Sequence, residues 1–172
     1  MEEGKDLVRV TDRMRALCSR REYCSADILK KAMSALDGDR ARAETVVAKL
    51  IDEKYIDDLR YSSAFARDKS SIAGWGETKI RYMLSAKGIS KDTIAEALES
   101  IDEDKASGRL EKLMEAKARS LKDDPQAKLK MLRFGMGRGY AYEAVARVTD
   151  RIIERWKDSE DCRRDRCKWG GS

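Results

Sequence analysis

Three glycines, Gly38, Gly88 and Gly139, recur at a spacing of about fifty residues, each between two short amphipathic stretches. Before Gly38, the residues Ile28, Leu29, Ala32, Met33 and Leu36 fall on one helical face; after it, Val46, Val47, Leu50 and Ile51 do so. Around Gly88 the pattern is Ile80, Met83 and Leu84, then Ile94, Ala97, Leu98 and Ile101. Around Gly139 it is Leu129, Leu132 and Met136, then Val145, Val148 and Ile152. A glycine at such a point ends a helix in the left-handed conformation, which other residues adopt only at a cost. Ser90 is placed to cap the helix that follows Gly88.

A longer helical pattern precedes each pair. Val10, Met14 and Leu17 mark the first; Tyr61, Phe65 and Ile72 the second; Leu110, Leu113, Met114 and Leu121 the third. The last of these stops before "DDP", where Asp124 is expected as cap and Pro125 as the first helical residue. Gly88 aligns with Gly139 and Ile94 with Val145 at an offset of 51; Val46 aligns with Ile94 and Leu50 with Leu98 at an offset of 48. The chain therefore reads as one long–short–short unit written three times. We expect an all-α fold, an elongated curved array of three tandem three-helix repeats with about nine helices. The repeats are 1–56, 57–103 and 104–157; residues 158–172 show no periodicity and are expected to be disordered.

Composition agrees. Charged residues make up 40% of the 172 and aromatics 6%, which suits thin helical layers better than one thick core. Pro125 is the only proline. No apolar run approaches the roughly 20 residues that cross a bilayer, and "MEEGKDLVRV" lacks an apolar leader segment. A cytoplasmic protein without membrane contact is expected.

The chemistry is sparse. Histidine is absent, which excludes His-based triads, His general bases and mixed His/Cys metal sites. Cys18 with Cys24 and Cys162 with Cys167 are spaced more widely than the C-x-x-C of common zinc ribbons, so reduced thiols without a metal are expected. The acidic pairs Asp57/Asp58 and Asp123/Asp124 stand where helices begin, so capping accounts for them. "GWG" is not a phosphate-binding loop, and "FGMGRGY" follows a helix rather than a strand, so it reads as a fraying helix end. No nucleophile–base pair assembles. The chain is expected to be neither an enzyme nor dependent on a cofactor.

Charge is more informative. Between Arg60 and Lys91 seven cations face two anions, so this window alone carries the whole net charge of +5. A one-signed patch suggests an anionic partner, nucleic acid or acidic protein. With Ile80, Met83 and Leu84 turned to the core, Trp75, Lys79 and Tyr82 fall together on the opposite side, provided the helix reaches back to Trp75. Arg81 lies on another exposed flank, Lys87 later in the same helix, and Arg67 and Lys69 on the long helix before it. These seven are the candidate contact residues; packing of Trp75 and Tyr82 on an adjoining repeat is the alternative.

At this point four segments together resemble one family. "ALCSRREYCSADILKKAM", "LIDEKYIDDLRYSSAFARDK", "GWGETKIRYMLSAKGIS" and "KLKMLRFGMGRGYAYEAV" are similar, in order and spacing, to the motifs of the RecX regulatory proteins of bacteria, from about Ala16 to Val148. Asp27 stands where that family often has Glu, and Gly135 replaces a bulky residue, which is expected to loosen the third repeat. The resemblance implies tandem three-helix repeats and a non-enzymatic modulator of the RecA recombinase. Such a protein lies along the groove of the RecA–single-stranded-DNA filament, blocks its extension and depresses its ATPase and strand exchange. It implies RecA as partner, with single-stranded DNA within the filament as a further contact, and we expect a monomer. A helix-turn-helix DNA-binding protein and a general single-strand binder are the competing classes. The array reading is checked by small-angle scattering: an elongated particle is expected, and a compact globular profile would refute it.

Overall fold

The computed structural model describes residues 2–168, with side chains from 6 to 159. Among the described residues there are nine α-helices and no strand: α1 Glu2–Cys18, α2 Ser25–Ala35, α3 Arg40–Asp52, α4 Asp58–Ser71, α5 Glu77–Ala86, α6 Lys91–Glu99, α7 Glu103–Arg119, α8 Ala127–Gly137 and α9 Tyr142–Lys168. The all-α class is as the periodicity requires. The helices form two compact units: Met1–Arg67 with Arg81–Ile101, and Asp68–Ile80 with Asp102–Ser172. The residues of α4 and α5 are therefore divided between the two, so the compact units do not follow the three repeat boundaries.

Caps and glycines set the helix limits. Asp39, Ser90 and Asp102 accept from the backbone N–H of Arg42, Thr93 and Lys105, each at the start of a helix. Gly38, Gly88 and Gly139 all have φ near +80°, at +86°, +79° and +88°. In the second of these turns Ile89 N–H donates to Leu84 C=O, and in the third Tyr140 N–H donates to Gly135 C=O, so late helical carbonyls are satisfied.

In the first unit Val10 and Met14 of α1, Ile28 and Ala32 of α2 with Leu36 just after it, Val46 and Leu50 of α3, and Ile56 form one buried cluster. Asp58 adds a polar tie, accepting from both the N–H and the hydroxyl of Ser25 at 2.7 and 2.6 Å. In the second unit the cluster is Leu110, Met114 and Ala118 of α7, Met131 of α8, and Val145, Val148 and Ile152 of α9. Arg151 and Arg155 of α9 pair with Glu111 and Glu115 of α7, two rungs of surface charge worth about 0–1 kcal/mol each.

Three expectations fail here. The buried face of α8 is Ala127, Met131 and Gly135, whereas Leu129 and Met136 are 44% and 50% exposed. Gly135 does not loosen the unit: a Cβ there would lie 2.5 Å from Cγ1 of Val145, so the valine already fills the space. The glycine-rich segment is a helix end, as expected: α8 stops within it, at Gly137. Asp124 and Pro125 do not open a helix; Asp124 accepts from Gln126 N–H in a turn, and α8 begins at Ala127. The expected irregular tail is also corrected in part. Residues 158–168 continue α9, because no glycine or proline interrupts the chain between Gly139 and Gly170. Residues 169–172 and the side chains of Cys162 and Cys167 lie outside the described residues.

The two glycines of α8 make a paired test. Gly135→Ala drives a methyl into Val145 and should cost about 1–3 kcal/mol in denaturant melts. Gly137→Ala meets nothing within 4 Å and should stabilise by up to about 1 kcal/mol.

Candidate functional site

The segment after α4 turns sharply, and its glycines show why. Gly74 has φ +63°, and a Cβ there would meet Leu113 Cδ1 at 2.5 Å. Gly76 lies directly on the turn between α8 and α9: a Cβ would come within 2.2 Å of the Gly139 carbonyl. Gly139 in turn has no room for one, with Lys79 Cβ 2.4 Å away. Main chain therefore touches main chain, and two hydrogen bonds seal the contact. Gly76 N–H donates to Arg138 C=O at 2.8 Å, and Thr78 N–H to Gly139 C=O at 3.1 Å.

Two guanidinium groups hold the rest of the loop. Arg109 donates to Ile72 C=O at 3.0 Å, and Arg138 to Ala73 C=O at 2.9 Å. These are carbonyls just past the end of α4, where the helix dipole favours a cation. Tyr140 packs nearby, and burial raises its phenol above the ordinary value against the opposing pull of Arg109 and Arg138. Nothing in the linear pattern marked Arg109 or Arg138 for this task. The one signal was that Arg138 lies in the "GRGY" run, whose glycine allows the approach.

On this support sits Trp75. Its backbone N–H donates to Lys69 C=O at 2.9 Å, and its indole carries two ammonium groups, Lys69 Nζ at 5.1 Å and Lys79 Nζ at 4.6 Å from the ring centroid. Such contacts are worth about 0.5–1 kcal/mol when exposed. Trp75, Lys69 and Lys79 are each half-buried. Of the seven residues expected to form a contact surface, these three come together. They do so by a different route from the one expected, because α5 starts at Glu77 and does not reach back to Trp75.

The other four differ in exposure. Arg67, Arg81 and Tyr82 are exposed, Tyr82 to 70%. Lys87 is committed inside the first unit. Its ammonium donates to Asp27 at 2.7 Å and lies 5.6 Å from the Tyr61 ring centroid. Burial pulls the Lys87 ammonium down, but Asp27 and Tyr61 outweigh it and hold it above its ordinary value. Burial likewise pushes the Asp27 carboxyl up, and hydrogen bonds from Lys87 and Cys24 outweigh that and hold it below. Desolvation raises the Cys24 thiol to about 11, so this thiol is not a nucleophile at neutral pH. Asp27 and Lys87 are sixty residues apart in sequence, which is why the charge pattern alone did not join them.

Comparison with known proteins now bears on this architecture. Residues 57–98 match the family model "RecX, second three-helix domain". "Regulatory protein RecX" of Clostridium tetani is 33% identical over 119 residues, 67% of this chain and 54% of the relative. The chain belongs to the RecX family. The RecX protein of Pseudomonas entomophila is 29% identical over 133 residues, covering 77% of this chain and 84% of the relative. The crystal structure of RecX from Lactobacillus salivarius superposes with a TM-score of 0.78 at 20% identity, over 87% of this chain and 98% of that one. The chain spans about half the length of the clostridial RecX relatives it matches. Their shared name, a regulatory protein, specifies no reaction. Among the described residues no three His, Cys, Asp or Glu side chains group as a metal site, and no helix is long and apolar enough to cross a membrane.

The Asp27–Lys87 pair gives a pH test. Asp27 is depressed, so its contribution is present above the unfolded carboxyl value and disappears as pH falls through the folded one. Lys87 is raised, so its contribution holds below the unfolded ammonium value and disappears as pH rises through the folded one. Asp27→Asn should therefore lower stability at neutral pH by about 1 kcal/mol or less, and the difference from the parent should vanish well below pH 3.8. Urea melts at the two pH values check this.

Proposed function

We propose that this RecX-family chain regulates the RecA recombinase by docking on the RecA–single-stranded-DNA filament, blocking its extension and depressing its ATPase and strand exchange. The observation that carries this reading is the family membership itself. The helical build and the surplus of cations between Arg60 and Lys91 support it. No metal, cofactor or turnover is required: the protein acts by occupying a surface, as a monomer in the cytoplasm.

Within that reading, Lys69, Trp75 and Lys79 are the core of the contact, with Arg67, Arg81 and Tyr82 as further contacts. A filament groove offers acidic protein surface and phosphate backbone, and outward cations attract either at long range. Trp75 supplies buried area, the kind of aromatic anchor on which interfaces concentrate their energy. The single-stranded DNA in the filament is a second possible recipient of the same cations. Lys87 contributes to the local field, but its ammonium is already engaged with Asp27, so it is a poor probe.

The test is RecA's single-stranded-DNA-dependent ATPase with and without the full chain. The parent should inhibit it. Lys79→Glu with Arg81→Glu should weaken inhibition at least tenfold, about 1.4 kcal/mol, with helix content and melting temperature nearly unchanged. Undiminished inhibition by the folded double variant would move the docking surface elsewhere. Failure of the parent to inhibit would refute the reading.

A further inference from the structure

A second surface, sharing no residue with the contact just proposed, lies in the first unit. The end of α1, the connection to α2 and one side of α2 enclose a groove of about 620 Å³. Leu17 and Ala35, half-buried, and Met14 and Tyr23, buried, give it an apolar lining. Arg13, Arg21, Lys30 and Lys31 line it as well, and all four are exposed. Among the described residues none of the four makes an ion-pair contact of the kind that Arg15, Arg40 and Arg60 make in the same unit, although Lys31 lies within the field of Asp27. The one acid in the lining, Asp27, is engaged with Lys87.

We propose that this groove binds an acidic peptide segment of a partner protein, one that carries apolar side chains among its carboxylates. The charge calls for an anion. The lining decides which kind. A nucleic acid held without sequence preference uses aromatic faces on which bases stack. Here the only aromatic ring is Tyr23, which is 8% exposed, with the Arg21 guanidinium 4.4 Å and the Lys31 ammonium 5.6 Å from its centroid. Its face is taken by cations, so no base can stack on it. Leucine-like side chains, by contrast, fit against Leu17 and Ala35, while carboxylates meet the surrounding cations. Arg21 and Lys31 are already positioned by the tyrosine, so less side-chain freedom is lost when they bind.

The experiment uses the full chain and a fluorescein-labelled peptide rich in Glu and Asp, with leucines at helical spacing, read by fluorescence anisotropy. Two comparison probes are the same peptide with serine for leucine and an oligodeoxythymidylate. The leucine peptide should bind saturably, and the serine version at least about tenfold more weakly. R13E/K30E/K31E should weaken leucine-peptide binding by about tenfold or more. Ser34→Trp fills the groove from an exposed α2 position without changing its charge, and should do the same. It decides the matter if the charge reversal fails to fold. Lys79→Glu with Arg81→Glu should leave peptide binding as in the parent, which separates this groove from the filament contact. Absence of saturable peptide binding would overturn the proposal, as would parental binding by both groove variants. Loss of oligodeoxythymidylate binding in those variants, with peptide binding intact, would make the groove a nucleic-acid surface and overturn it equally.

Discussion

In the second unit two stretches of backbone meet with no side chain between them. Gly76 and Gly139 each leave room for the other's chain, and a Cβ on either would collide with atoms that cannot move aside. Much of the local arrangement follows from this contact. It brings Gly76 N–H to Arg138 C=O and fixes the first residues before α5 on the α8–α9 turn. With that end fixed, Arg109 and Arg138 reach the carbonyls after α4, and the loop from Ile72 to Gly76 is held at both ends. Trp75 then has one place to go, between Lys69 and Lys79. The rotamer entropy of this tryptophan is thus lost on folding, offset in part by its two cation contacts.

The cations of this protein divide by task, and net charge conceals the division. Arg109 and Arg138 neutralise carbonyls. Arg60 and Lys87 pair with Glu22 and Asp27. Lys69 and Lys79 lie over an indole, a weak restraint compared with an ion pair. The basic window between Arg60 and Lys91 is therefore less uniform than its composition implies: some members hold the fold and others present charge.

The helices were legible in the sequence because apolar periodicity and left-handed glycines are local. Gly38, Gly88 and Gly139 end or follow their helices as their spacing required. The inward faces of α2 and α6 were legible for the same reason, as was that of α3 apart from Ile51, which is 49% exposed. The face of α8 was not. Leu129 and Met136 are strongly apolar yet exposed, while Gly135 has no side chain and so gives no apolar signal. Its burial is decided by Val145, on another helix. The site was half legible. Lys69, Trp75 and Lys79 could be singled out as cations around an indole, but their convergence depends on Gly139 and Arg138, about sixty to seventy residues away. Lys87 was misjudged as an outward cation for want of Asp27, equally remote. The continuation of α9 past Lys157 was missed because absence of periodicity was read as absence of helix; a helix without an apolar stripe still satisfies its own backbone.

The Gly135–Val145 contact also restricts the paths by which such a chain drifts. The two positions lie on different helices and share one small volume. Enlarging the first while the second is valine produces a clash. Shrinking the second while the first is glycine opens a cavity, at a cost of about 1–3 kcal/mol for the two lost methyl groups of a fully buried valine. Either single change is therefore penalised by a similar amount, and only the two together conserve volume. The pair is expected to change as one unit, a bulky residue at 135 going with a small one at 145, rather than as two independent preferences.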